Sequence, residues 1–145
     1  MLKKILHTNP SKSVILIRLM IGSVFLSEGI QKFLYPESRG AGRFAKIGLP
    51  APELLGDVVG TLEILCGLLI LIGLFTRLSS IPLIAIMLGA FVITKSEIFL
   101  HKGFWEFLHE SRTDLAMLLG STFLLITGGG QLSIDYLLYK KSELT

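Results

Sequence analysis

Four apolar runs dominate this chain: residues 14–34, 54–75, 78–94 and 113–132. Each is close to the ~20 residues a helix needs to cross a bilayer. Hydrocarbon offers a backbone no water to bond with, so runs of this length must satisfy their own N–H and C=O groups as helices. The 145 residues amount to one domain. Hydrophobic residues make up 51% of them and charged residues only 17%, against about a quarter charged in a soluble domain. That balance excludes a soluble globular enzyme. It also excludes a disordered chain, which needs low hydrophobicity. The expected fold is all-α: a polytopic membrane four-helix antiparallel bundle, one domain over residues 1–145, with the lipid bilayer as its first partner.

The ends of the runs carry their own signals. Pro82 is expected near the start of the third helix, where its missing N–H does least harm. Gly128, Gly129 and Gly130 are expected to end the fourth and let the chain turn. Lys3 and Lys4 would suit a cleaved leader, but the run after them holds Arg18, exceeds leader length and has no small-residue cleavage site behind it; it reads as a retained helix. A tight turn around Thr76 and Arg77 joins the second and third runs, and the two long connections fall on the opposite face. The first of these, residues 36–52, is rich in Gly and Pro. In the second, Phe99, Leu100, Phe104, Phe107 and Leu108 fall at helical spacing beside Trp105. That pattern predicts a short interfacial helix between helices three and four. His101, Trp105 and His109 recur every four residues and would share one side of it. Lys and Arg number six on the side of the termini and seven on the other. With the counts nearly tied, Lys3, Lys4 and Lys12 ahead of the first helix place both termini in the cytoplasm.

The net charge of +3 does not suggest nucleic acid, because the cations flank apolar runs instead of forming a basic face. Cys66 is the single cysteine and sits deep in an apolar run, so dithiol exchange cannot run on this chain alone. His7, His101 and His109 all lie outside the runs. They offer neither the axial pair of a membrane haem nor a compact metal site, and no metal is expected.

Small and charged residues inside the runs are more informative. At about 100° per residue, Arg18, Gly22, Phe25, Gly29 and Lys32 share one narrow stripe of helix one, and Gly56, Gly60, Glu63 and Gly67 share one of helix two. Small residues in a stripe let two backbones approach closely, so the two stripes make a candidate antiparallel pair. A charge at the bilayer centre costs ~2.5–3.5 kcal/mol on insertion scales, yet Glu28 and Glu63 lie well inside their helices, about 9 and 13 Å from the loop-one end. Lys32, Asp57 and Asp114 fall toward the same end, so all five can converge in one half of the bundle. One reading is an ion-pair network in which Lys32 neutralises Glu28 or Asp57. The other is a polar intramembrane pocket in which Glu63 and Glu28 share a proton or meet a ligand. Arg18, about a turn from the opposite surface, is expected to snorkel outward.

Taken in order, these motifs resemble the DoxX family of small four-helix bacterial membrane proteins, over roughly residues 14 to 138. Helix one has Arg18, Leu19, Gly22, Phe25, Gly29 and Lys32 in the family's spacing. Helix two has Gly60, Glu63, Gly67, Gly73, Thr76 and Arg77. The C-terminal part has Gly128, Gly130, Ser133 and Asp135. One position departs: many relatives carry Glu at the start of helix four, where this chain has Asp114. The resemblance implies a multi-pass protein of the bacterial cytoplasmic (inner) membrane. Because DoxD-like members are associated with thiosulfate:quinone oxidoreductase, it also implies a link to quinone chemistry.

Three functions fit these residues. The first is a membrane component of a redox or quinone-linked complex, supplying a pocket at Glu63 and Glu28 for a membrane quinone, or an anchor for a soluble or membrane oxidoreductase. Such a protein would hold no covalent cofactor. The second is a membrane scaffold without chemistry. The third is a small proton-coupled transporter, which would work as a homo-oligomer.

Overall fold

The structure, a computed structural model, describes residues 6–143; Lys3 and Lys4 lie outside them. Among the described residues every regular element is helical. In chain order they are α1 (Val14–Leu34), α2 (Pro36–Arg39), α3 (Ala41–Lys46), α4 (Pro52–Ile72), α5 (Thr76–Ala90), a π-helical turn (Phe91–Lys95), α6 (Ser96–Lys102), α7 (Phe104–Thr127) and α8 (Ile134–Glu143).

Local chemistry sets these boundaries. Pro36 ends α1, since the residue before a proline is pushed out of the helical region. Pro52 opens α4 at a position where its missing N–H is no loss. Gly73 closes α4 in the left-handed conformation (φ 72°), its N–H returning to the carbonyl of Ile70. α5 begins at Thr76, so Pro82 lies in its second turn and not at its start, and the helix gives up one backbone hydrogen bond to run through it.

Among the described residues, three helical stretches are long and apolar enough to cross a membrane: Val14–Leu34, Pro52–Ile72 and Thr76–Lys102, the last continuous through the π-helical turn. α7 is 24 residues long. It starts nine residues before the expected fourth run and stops at Thr127, and its first turns carry Glu106, Glu110, Arg112 and Asp114. The aromatic segment expected to form one interfacial helix is divided at Gly103: Phe99 and Leu100 belong to α6, while Phe104, Phe107 and Leu108 open α7. His101 thus sits on a different helix from Trp105 and His109. Phe107 ties the two pieces together, 5.6 Å from the ring of Phe99 and 6.2 Å from that of Phe91.

α1 packs along α4, α5 on α4 and α7, and α7 on α1. The α1–α4 contact is set by glycine. A Cβ at Gly29 would stand 2.7 Å from the carbonyl oxygen of Gly60, and one at Gly22 would stand 2.9 Å from that of Gly67. Rising numbers on α1 meet falling numbers on α4, so the pair is antiparallel. α3 folds back on α4 at Gly56, where a Cβ would come within 2.9 Å of the Ala41 nitrogen. The core gathers Val14, Ile21, Phe25, Cys66, Ile70, Leu83, Met117 and Leu124, mostly toward the end that holds the α4–α5 turn.

Candidate functional site

At the other end the helices enclose a cavity of about 510 Å³. α1 contributes Val24, Phe25, Glu28 and Lys32, and α4 contributes Leu55, Val59 and Glu63. Met87, Gly89 and Thr94 come from α5 and the π-helical turn, Asp114 and Met117 from α7. Arg39, Arg43 and Phe44, on α2 and α3, form a roof. The volume suits a small organic molecule, and the lining is mostly apolar with a few convergent polar groups, the usual composition of a ligand site.

The glycine contact builds the centre of this site. Gly60 and Glu63 share a face of α4, and the close approach of α1 brings the Lys32 Cβ to 3.4 Å from where a Gly60 Cβ would stand. The Lys32 ammonium then reaches Oε2 of Glu63 at 2.6 Å, with side-chain exposures of 12% and 3%. The contact is a buried ion pair. Lys32 therefore neutralises Glu63, and not Glu28 or Asp57. Glu28, one turn earlier on α1, is half-buried in the same cavity wall. Asp57 is exposed and lies outside the cavity. Six residues at about 100° each turn it some 120° away from the Glu63 face. Asp114 lines the cavity and pairs with Lys95 at 3.3 Å, and Lys95 also donates to the carbonyl of Glu110.

Arg18 stands apart from this site. It does not snorkel but is 2% exposed at the opposite end. Nε donates to Ile70 O at 2.8 Å, Nη2 to Leu71 O at 2.6 Å, and Nη1 to Leu132 O at 2.5 Å and Gly129 O at 3.2 Å. The carbonyls that end α4 have no partner within the helix, and the guanidinium supplies one. Asp135, equally buried, accepts from the backbone N–H groups of Phe75 and Thr76, the start of α5. Arg77 donates to His7 O. Gly128 and Gly130 make room for the N-terminal segment, for a Cβ on either would press on His7 O or on Val14. These motif residues lock the turn between α4 and α5 to both chain ends.

Arg39 and Arg43 are cavity residues that the sequence marked only as flanking charge, and Lys95 reaches the cavity wall only through its pair with Asp114. Arg39 ends α2 and Arg43 lies in α3, and the fold-back of this Gly-rich connection on α4 brings both to the cavity. The lining side chains can donate and accept hydrogen bonds and exchange protons inside an apolar enclosure. Chemically the arrangement has room for a small molecule with polar and apolar parts.

The DoxX family matches residues 13–96 of this chain. A membrane protein of Mycobacterium tuberculosis, itself named as uncharacterized, is 50% identical over 145 residues, covering 96% of this chain and 89% of that protein. A Bacillus subtilis protein named "Putative oxidoreductase CatD" is 28% identical over 126 residues, covering 87% of each. No solved structure matches. The chain belongs to the DoxX family.

Proposed function

We propose that this DoxX-family membrane protein is the integral membrane component of a quinone-linked redox complex, with the cavity at Lys32 and Glu63 as its quinone seat. The observation that carries the reading is the buried Lys32–Glu63 pair inside an apolar enclosure of about 510 Å³. A charge pair is expensive to hold in a membrane, and intramembrane ionisable groups by default belong to function. The name of the Bacillus subtilis relative agrees with this reading.

A quinone supplies two-electron, two-proton chemistry at the oxygens of a flat ring. Lys32 Nζ, held in place by Glu63, would donate a hydrogen bond to one such oxygen. Glu28, in the same wall and outside the ion pair, would be the carboxylate placed to pass protons to the ring. The apolar walls at Phe25, Met87 and Met117 exclude water. Electrons come from an oxidoreductase partner docked on the face of the two long connections. In this reading the four long helices form an antiparallel bundle across the bacterial inner membrane, with both termini in the cytoplasm and α6 with the first turns of α7 in the headgroup layer.

The test is quinone binding by the protein in lipid nanodiscs. Glu63→Gln keeps an oxygen toward Lys32 and so keeps the fold, but it removes the charge and the proton chemistry. It is expected to lower quinone affinity about tenfold, or 1.4 kcal/mol. Unchanged binding by this variant, or no binding by the parent protein, refutes the seat. One observation favours a second reading, a scaffold without chemistry: Lys32 and Glu63 satisfy each other's charge without a ligand. Under that reading Glu63→Gln lowers stability and alters nothing else.

A further inference from the structure

α4 and α5 pack on each other beyond their shared turn, and the burial of α5 stops partway along. The buried residues of α5 are Thr76, Ser79, Ser80 and Leu83; beyond Leu83 no residue of α5, of the π-helical turn or of α6 is buried. On the facing side, Leu55 and Val59 of α4 line the cavity yet are only half-buried. Gly89 lines it from α5, and a Cβ built there would meet no atom within 4 Å. At Gly22, Gly29, Gly60 and Gly67, by contrast, an added Cβ would crowd a neighbour to under 3 Å. Those four glycines are small because something touches them; Gly89 is small beside open space.

The gap lies within two membrane-spanning stretches. Its lips are apolar and outward-facing: Leu54 and Val58 on α4, Leu88 and Val92 on the other side, between 46% and 71% exposed. Such lips face acyl chains. The cavity thus has a polar end at Lys32 and Glu63, a roof at the connection face, and an apolar opening toward lipid. The π-helical turn is at the same level and brings Ile93 and Thr94 onto the cavity wall; such turns are frequent at functional sites.

We infer that the cavity is loaded sideways from the bilayer through the gap between α4 and α5, with Gly89 as its sill, and that its ligand is a quinone bearing a long apolar tail. The tail stays in the gap while the ring reaches Glu63. This rests on the quinone reading of the cavity and adds the route and the class of quinone. A Cβ at position 89 meets no atom within 4 Å, so a larger side chain there would stand in the passage.

The experiment compares the full-length protein with Gly89→Leu in nanodiscs, using two probes with the same ring, one carrying an isoprenoid tail and one a methyl group in its place. Gly89→Leu is expected to weaken the tailed quinone about tenfold and the tail-less ring by a clearly smaller factor. The melting temperature should stay at the parent value. Gly89→Ala, adding only the Cβ, should fold in any case and give an intermediate loss for the tailed probe. Equal loss for both probes, or loss for neither, overturns the lateral route. The quinone seat fails separately, if the parent protein binds neither probe or if Glu63→Gln binds the tail-less ring as well as the parent does.

Discussion

Arg18 and Asp135 hold the two sides of one turn. The Arg18 guanidinium takes the carbonyls of Ile70 and Leu71 where α4 ends, and the Asp135 carboxylate takes the N–H groups of Phe75 and Thr76 where α5 begins. Asp135 N–H also donates to Gly73 O within the turn. A cation on helix carbonyls and an anion on helix N–H groups each complement the local dipole. The two residues are far apart in sequence, so the turn is clamped by the start and the end of the chain.

Asp135→Ala should therefore cost about 3 kcal/mol, because it strands two buried N–H donors that now bond to a charge. Asp135→Asn keeps one acceptor and should recover part of that loss. Arg18→Lys keeps the charge but replaces a planar fork by a point donor, which cannot span the carbonyls of Ile70, Leu71 and Leu132 together; about 2 kcal/mol is expected. Melting in detergent checks both, and variants that melt like the parent protein would remove the clamp.

The glycine contact predicts a graded series. Gly29→Leu and Gly67→Leu place side chains against the backbone of the opposite helix and should cost about 3 kcal/mol, the upper range for overpacking. Gly60→Ala presses mainly on the Phe33 ring, which can turn, and should cost about 1 kcal/mol. Gly89→Leu should cost nothing measurable. Thermal unfolding of the set decides, and equal melting at positions 29 and 89 would show that the stripe is no interface.

The Lys32–Glu63 pair predicts a non-additive cycle. Lys32→Met leaves a buried carboxylate without its cation and should destabilise by about 3 kcal/mol; adding Glu63→Leu to it should restore most of that, because two apolar residues replace a desolvated pair. A double variant no more stable than Lys32→Met alone would mean that the two residues are not energetically coupled.

Trp105 is the single tryptophan and is 80% exposed, so its fluorescence reports the depth of the start of α7. Tryptophan prefers the headgroup level. Lipids brominated near the headgroup should quench it more strongly than lipids brominated near the methyl end. The reverse order would bury this segment in the hydrocarbon and move the start of the fourth span.

Features that depend on one helix at a time were legible in the sequence. Length and apolar content marked the first span to its ends, Val14–Leu34, since the cost of unsatisfied backbone in lipid acts on each segment alone. Angular spacing placed Gly60, Glu63 and Gly67 on one face of α4, because helix geometry is local. Features that depend on how helices register and diverge were left to the tertiary structure. Lys32 had Glu28 one turn away on its own helix and Glu63 across the interface; the contact of Gly29 with Gly60 sets the offset that chose Glu63. Arg18 had a short path to the membrane surface, but the carbonyls of Ile70, Leu71, Gly129 and Leu132 converge on it only once α4 and the C-terminal turn are packed against α1. The end of burial along α5 beyond Leu83 has no local signature, because an apolar residue facing a cavity and one facing lipid are written with the same side chains.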